Sequence, residues 1–324
     1  MGFWDDKKAM VTGGVGFIGS HAVEMLVDLG AKVTVADNLK NSTMKNLDRV
    51  KDEIRLVEAD ITDLEQAKMA CSGQDVVLNL VARVGGIGFN LDHPGTMFRD
   101  NVLMSTTVLE AARQCGIERF LTVSSACVYP RHCTIPTPET EGFLEDPELT
   151  NFGYGWAKRV AEIQSRAYNM EFGMKIAIAR PYNAYGPRDH FDPATSHVIP
   201  ALIKRIFDGE DPLVVWGSGE QTRAFLYVKD FARGLIETVE KYPECDAVNI
   251  GTDEEVTIKD LVSLLLEVSG KDPDVVFDKS KPSGQPRRNC DTRKAREKVG
   301  FEAHYTLRDG LAETIDWYRQ EFGF

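Results

Sequence analysis

The run Thr12-Gly13-Gly14-Val15-Gly16-Phe17-Ile18-Gly19 constrains this chain more than any other feature. It follows Lys7 to Thr12, a short apolar segment with strand character, and opens Gly16 to Leu29, which carries helical periodicity. Glycines at G-x-x-G-x-x-G spacing permit a tight turn, let backbone approach a ligand, and let the helix pack closely on the strand. The start of the helix then presents free N–H groups and a positive dipole end to phosphate. Alone, three glycines are only a turn. Between a strand and a helix, at the head of a βαβ unit, they read as a dinucleotide cradle formed by Gly13, Gly16, Phe17, Ile18 and Gly19.

The same alternation continues. Strands are expected at Lys32 to Ala36, Ile54 to Ala59, Val76 to Val81, Phe120 to Ser124 and Lys175 to Ala179, with helices around Met97 to Cys115 and Tyr154 to Phe172. Strands alternating with helices over this length predict an α/β protein with a doubly wound parallel sheet, the Rossmann arrangement. Beyond Arg180 the chain breaks into loops rich in proline and glycine, including Asp192-Pro193 and Lys281-Pro282-Ser283-Gly284-Gln285-Pro286. Leu226 to Val239 and Ala247 to Gly251 read again as helix and strand. The expected division is therefore a dinucleotide-binding domain of residues 1–180, to which 225–251 return, and a smaller loop-rich α/β substrate domain of 181–224 and 252–324. The charged run Thr292 to Lys298 is read as the solvated face of a surface helix.

Composition excludes several function classes. With 38 Lys+Arg against 50 Asp+Glu, the net charge is −12, which argues against a general grip on nucleic acid or an anionic membrane. There is no run of apolar residues long enough to span a bilayer, and Met1 to Asp6 lack the layout of a signal peptide. The six cysteines (Cys71, Cys115, Cys127, Cys133, Cys245, Cys290) are scattered, with no C-x-x-C pair or zinc-finger spacing, so no metal is expected. These features predict a reduced, cytoplasmic protein.

Asp37 closes the second strand 18 residues after Gly19, near the ~20 expected for a carboxylate on the ribose hydroxyls of a dinucleotide. A carboxylate there repels a 2′-phosphate and favours NAD over NADP, although Lys40 lies close by. Asp60 and Ile61, after the third strand, stand where an adenine edge can be held. At the other end of the chemistry, Tyr154 and Lys158 lie four apart and share a helix face. A lysine ammonium beside a phenol with a free pKa near ~10 favours its phenolate. An amphipathic helix produces such a pair by chance. Here, however, Ser124-Ser125-Ala126-Cys127-Val128-Tyr129-Pro130 follows the fifth strand at the sheet edge where ligands bind.

Glycine turn, strand-end serine and Tyr-x-x-x-Lys, in this order, resemble the extended short-chain dehydrogenase/reductase family, and the resemblance covers nearly the whole chain. It implies Ser125 on the sugar hydroxyl, Tyr154 as base, Lys158 orienting tyrosine and nicotinamide ribose, and a nucleotide-diphospho-sugar substrate. Two subfamilies are similar in detail. Val84 to Gly88 and the Cys127 segment look like GDP-mannose 3,5-epimerases and GDP-L-fucose synthases. Ser196 to Leu202, Val215 to Gly219 and Gly284 to Arg288 look more like the synthases, while Gln221 to Phe225 lean to the epimerases.

This resemblance makes Cys127 and His197 the candidate acid–base pair. Once C4 of a hexose is a ketone, protons on C3 and C5 become acidic, and inversion needs a base on one face and an acid on the other. Gly86, Asn183, Arg223 and Arg287, the last with Arg288, are the candidate substrate-binding residues, the arginines gripping the diphosphate. The first expectation is a GDP-mannose 3,5-epimerase-like enzyme acting through a transient 4-keto sugar, with NAD recycled. The alternatives are a GDP-4-keto-6-deoxymannose epimerase/reductase of the fucose synthase type and a nucleotide-hexose 4-epimerase. A non-catalytic NAD-binding regulator comes last. The resemblance also implies a homodimer packed through the helices around Met97 to Cys115 and Tyr154 to Phe172.

Overall fold

A computed structural model describes residues 2–40, 42–192, 196–281 and 285–324. Pro193 and Pro282 to Gly284 of the expected loops lie outside the described residues. The chain opens with strand β1 (Lys8–Thr12), helix α1 (Phe17–Asp28), β2 (Lys32–Asp37), β3 (Arg55–Glu58), α2 (Leu64–Cys71) and β4 (Val76–Asn79). Next come α3 (Ile87–Asp92), α4 (Pro94–Gln114), β5 (Arg119–Val123), α5 (Phe152–Phe172) and β6 (Lys175–Pro181). There follow β7 (Ala184–Tyr185), α6 (Val198–Phe207), β8 (Leu213–Trp216), β9 (Thr222–Ala224), β10 (Leu226–Tyr227), α7 (Val228–Lys241) and β11 (Glu244–Ile250). The chain closes with β12 (Glu255–Thr257), α8 (Ile258–Ser269), β13 (Val275–Asp278), β14 (Arg287–Arg288) and α9 (Leu307–Phe322).

Among the described residues, seven strands form one sheet in the order β11-β6-β5-β4-β1-β2-β3, every pair parallel. Strand order reverses between β1 and β4, so the crevice at their carboxyl ends is the place where ligands bind in such sheets. A parallel sheet must be buried on both faces. One face packs through Val11, Val35, Leu78 and Leu121 against α1 and α7. The other packs through Met10, Val77, Phe120 and Ile178 against α2 and α4. A separate apolar cluster, built from α6, α8, α9 and β8, supports the later part of the chain. There β12-β9-β14 form a small sheet and β13 pairs with β8.

Local chemistry sets the boundaries. Asp63 caps α2 by accepting the Gln66 N–H at 2.9 Å. Gly173, in the left-handed conformation, ends α5. Three expectations need correction. Leu226 and Tyr227 are not helical, because they pair in parallel with β7, and the helix begins at Val228. The strand expected from Ala247 begins at Glu244, carried back by a register shift against β6 at which Cys245 takes φ 55°. Within Thr292 to Lys298, Thr292 and Ala295 are buried, so one side of that turn packs inward. No helix among the described residues is long and apolar enough to cross a membrane.

Candidate active site

The glycine run lies between β1 and α1, at the point where strand order reverses. A side chain at Gly19 would run into Gly13 O, so only glycine lets α1 begin so close to the turn. Gly16 caps α1 with extended backbone and no side-chain bond, leaving the first-turn amides of Phe17 and Ile18 facing outward from the helix end. Asp37 fixes the neighbouring wall. Its Oδ2 accepts the Val15 N–H at 3.2 Å and its Oδ1 the Leu39 N–H at 2.9 Å. Each oxygen keeps a lone pair for a hydroxyl donor. Asp60 lies two residues beyond β3, where hydrogen bonds from Thr62 hold its carboxyl below the usual range. The Ile61 side chain lies in the core, so only its backbone can meet a ligand.

On the far side of the crevice, α5 lies against the end of β5. Gly155 makes this approach possible: a Cβ there would sit 2.5 Å from Cys127 O. Lys158 is buried, and its Nζ donates to Val123 O at 2.7 Å and lies 5.4 Å from the centre of the Tyr154 ring. Burial brings the Lys158 ammonium down to about 8, with the nearby Cys127 opposing the shift. The Tyr154 phenol moves the other way. Burial raises it first, Cys127 adds to that, and a hydrogen bond with Ser125 partly offsets them. Ser125 Oγ also accepts the Cys127 N–H at 3.1 Å, which fixes the turn carrying the thiol. Ser125, Cys127, Tyr154 and Lys158 therefore form one connected cluster.

Cations close the cluster. Arg288 Nη2 donates to Cys127 Sγ at 3.8 Å. Arg288 is the register partner of Arg223 across β14 and β9, so the two guanidinium groups share a face. Burial, then the charge of Arg288, lower Arg223 to about 10. Arg287 faces elsewhere and forms a two-pronged ion pair with Glu255, both contacts at 2.7 Å. Asn183 Nδ2 donates to Ala224 O at 2.9 Å and so borders β9. Gly86 caps α3 in the loop after β4. His197 caps α6 through its backbone and joins none of the hydrogen bonds of the Cys127 cluster.

Residues 9–251 match the model of the NAD dependent epimerase/dehydratase family. The chain belongs to that family. Its relatives span nearly all of its length. A probable GDP-L-fucose synthase 1 of Oryza sativa subsp. japonica is 35% identical over 323 residues, covering 98% of this chain and 94% of that protein. A dTDP-4-dehydro-6-deoxy-D-allose reductase of Streptomyces sp is 31% identical and covers 98% of this chain and 97% of its own. Among solved structures, UDP-glucose 4-epimerase of Thermotoga maritima, with UDP-glucose, aligns at TM-score 0.87 and 31% identity, covering 97% of this chain and 99% of that one.

This member of the NAD dependent epimerase/dehydratase family is thus an enzyme whose cofactor is NAD, and the glycine turn with Asp37 fits that molecule on its own geometry. Two groups at the site escaped the sequence reading. Glu148, ion-paired with Arg131 at 3.3 Å, acts electrostatically on both Arg223 and Arg288. Glu162, buried on α5, binds Ser124 and Arg180. Its position four residues after Lys158 was the available signal.

Proposed function

We propose that this enzyme is a nucleotide-diphospho-sugar epimerase/reductase acting on a 4-keto-6-deoxyhexose, with a GDP-linked sugar favoured, in the manner of the GDP-L-fucose synthases. Cys127 is the observation that carries the reading. Oxidation or reduction at C4 alone needs only Ser125, Tyr154 and Lys158. A thiol tied to that serine and touched by a guanidinium is the addition that inversion beside a carbonyl requires. Near full-length similarity to a fucose synthase and to a deoxyhexose reductase supports the reductase over the 3,5-epimerase put first from sequence.

In this reading Ser125 binds the C4 oxygen. Cys127 takes the proton next to the carbonyl as the enolate forms, and His197 returns one on the opposite face, at C3 and then C5 or at one of them. Bound in reduced form, the cofactor supplies the hydride that reduces C4. Tyr154 gives its phenolic proton to the resulting C4 alkoxide, a direction suited to a phenol that burial keeps protonated. Lys158 holds the nicotinamide ribose and Tyr154. Arg223 and Arg288 grip the diphosphate through charge-assisted hydrogen bonds. Arg287 contributes once Glu255 releases it or by bracing β14. Asp37 selects NADH over NADPH, because a 2′-phosphate would meet its carboxylate.

The same proposal keeps residues 1–180 with 225–251 as the cofactor domain, and 181–224 with 252–324 as the substrate domain. It includes a homodimer through α4 and α5, where Leu103, Ile163 and Met170 are exposed, and a cytoplasmic setting, in keeping with six free cysteines. The test is consumption of NADH against a panel of GDP-, dTDP- and UDP-linked hexoses and their 4-keto-6-deoxy forms. The expected result is stoichiometric NADH loss with GDP-4-keto-6-deoxymannose, slower with NADPH. Interconversion of UDP-hexoses with no net NADH loss would instead identify a 4-epimerase.

A further inference from the structure

Tyr154, Lys158 and Glu162 stand at positions i, i+4 and i+8 of α5 and so form one stripe on that helix. The stripe meets the end of β5 rung by rung. The Ser125 hydroxyl acts on the Tyr154 phenol and draws its pKa downward, Lys158 donates to Val123 O at 2.7 Å, and Glu162 Oε1 accepts the Ser124 hydroxyl at 2.5 Å. Glu162 is fully buried at 0% exposure and is gripped from β6 by Arg180, itself 1% exposed. Arg180 Nε donates to Glu162 Oε1 and Nη2 to Oε2, both at 2.7 Å. The remaining nitrogen, Nη1, donates to Tyr129 OH at 3.1 Å and Glu139 O at 2.7 Å, on the chain that leads away from Cys127.

One carboxylate thus joins three elements: α5, which carries Tyr154 and Lys158; the end of β5, which carries Ser125 and Cys127; and β6. Two apolar side chains of similar volume usually serve stability as well as a buried ion pair does, whereas the fork geometry of arginine and carboxylate fixes register. We propose that Glu162 and Arg180, with Ser124, are positioning residues that set the axial register of α5 against the end of β5, and thereby the distance between the Tyr154 oxygen and the sugar oxygen held by Ser125. The pair touches neither cofactor nor substrate. It acts through the serine beside the one that binds the sugar and through the helix that carries the phenol. A misplacement of 1 Å at such a site can cost on the order of 10²-fold in rate.

The inference rests on Tyr154 acting at C4, a role shared by the reductase and epimerase readings. The experiment measures kcat, KM and thermal midpoint of the NAD-loaded enzyme for whichever panel sugar the wild type turns over best. Four variants are compared: Ser124→Ala, Glu162→Gln, these two combined, and the apolar double exchange Glu162→Met with Arg180→Met. Ser124→Ala removes one rung with the smallest disturbance and is expected to lower kcat roughly 3- to 10-fold. Glu162→Gln and the folded double variant are expected to lower it about 10- to 100-fold, with KM within about threefold of wild type. Ser124→Ala combined with Glu162→Gln should be no slower than Glu162→Gln alone. Wild-type kcat in Ser124→Ala, or in a folded double variant, would overturn the proposal. Turnover of a sugar other than the GDP-linked one leaves it standing and removes only the substrate reading. No turnover of any panel sugar by the wild type overturns both.

Discussion

Lys158 is the residue most altered by its place in the fold. An exposed lysine stays charged far above neutrality, whereas burial brings this one down to about 8. Its ammonium is therefore present below that value and lost above it. The phenol of Tyr154 moves upward, so it remains a proton donor across the same range. The rate of NADH-dependent reduction is expected to be level up to about pH 7 and to fall as pH rises through about 8. A kcat profile that stays flat to pH 9.5 would contradict this. Much of the residue-scale chemistry was legible because it is encoded in short spacings: Gly13 to Gly19 around a turn, Tyr154 and Lys158 one helical turn apart, Cys127 two residues from Ser125. The two arginines were not separable in that way. Arg287 and Arg288 are neighbours on a strand, so their side chains point to opposite faces, and a shift of one residue exchanges them. The register of β14 on β9 directs Arg288 to the cluster and Arg287 to Glu255.

At the scale of elements, Pro187 and Arg188, just beyond β7, are fastened to the cofactor helix. His21 on α1, lowered to about 4 mainly by burial, is neutral near pH 7, and its Nε2 lies 3.1 Å from Pro187 O as a donor. Arg188 then takes φ 70° and forks onto Glu24 of α1, both contacts at 3.0 Å. A left-handed conformation is costly for any residue but glycine, and the fork offsets that cost. Arg188→Ala loses the fork and keeps the strain, whereas Arg188→Gly loses the fork and removes the strain. In urea unfolding, the glycine variant is expected to be the more stable of the two by about 1 kcal/mol. Equal stability, or the reverse order, would contradict this. None of this latch was legible in the sequence. It joins residues 164 positions apart, and a left-handed arginine leaves no local mark. The Glu162–Arg180 pair escaped for the same reason: its partners belong to different elements, and only the packing of α5 on β5 and β6 brings them together.

For the molecule as a whole, the parallel sheet provides a rigid floor, and its strand ends gather groups from distant parts of the chain into one crevice. Residues of β1, β2, β5, α5, β9 and β14 converge there, although the chain between them is long. The alternation of strands and helices made the sheet legible, because each unit is local. The later loops were less so, since their short strands owe their pairing to β9 and β8 and not to any pattern of their own. A net charge of −12 leaves the exterior acidic, while Arg223 and Arg288 stand together at the Cys127 cluster, an arrangement suited to a small anionic substrate and not to a polyanion. Epimerisation through Cys127 coupled to reduction at C4 is tested by one reaction in heavy water with GDP-4-keto-6-deoxymannose and NADH, followed by mass spectrometry and NMR of the product. The expected result is one NADH consumed per product, solvent deuterium at C3, C5 or both, and loss of that deuterium in Cys127→Ser with NADH binding retained. Product formed without deuterium at either carbon, or full incorporation in the serine variant, would contradict it.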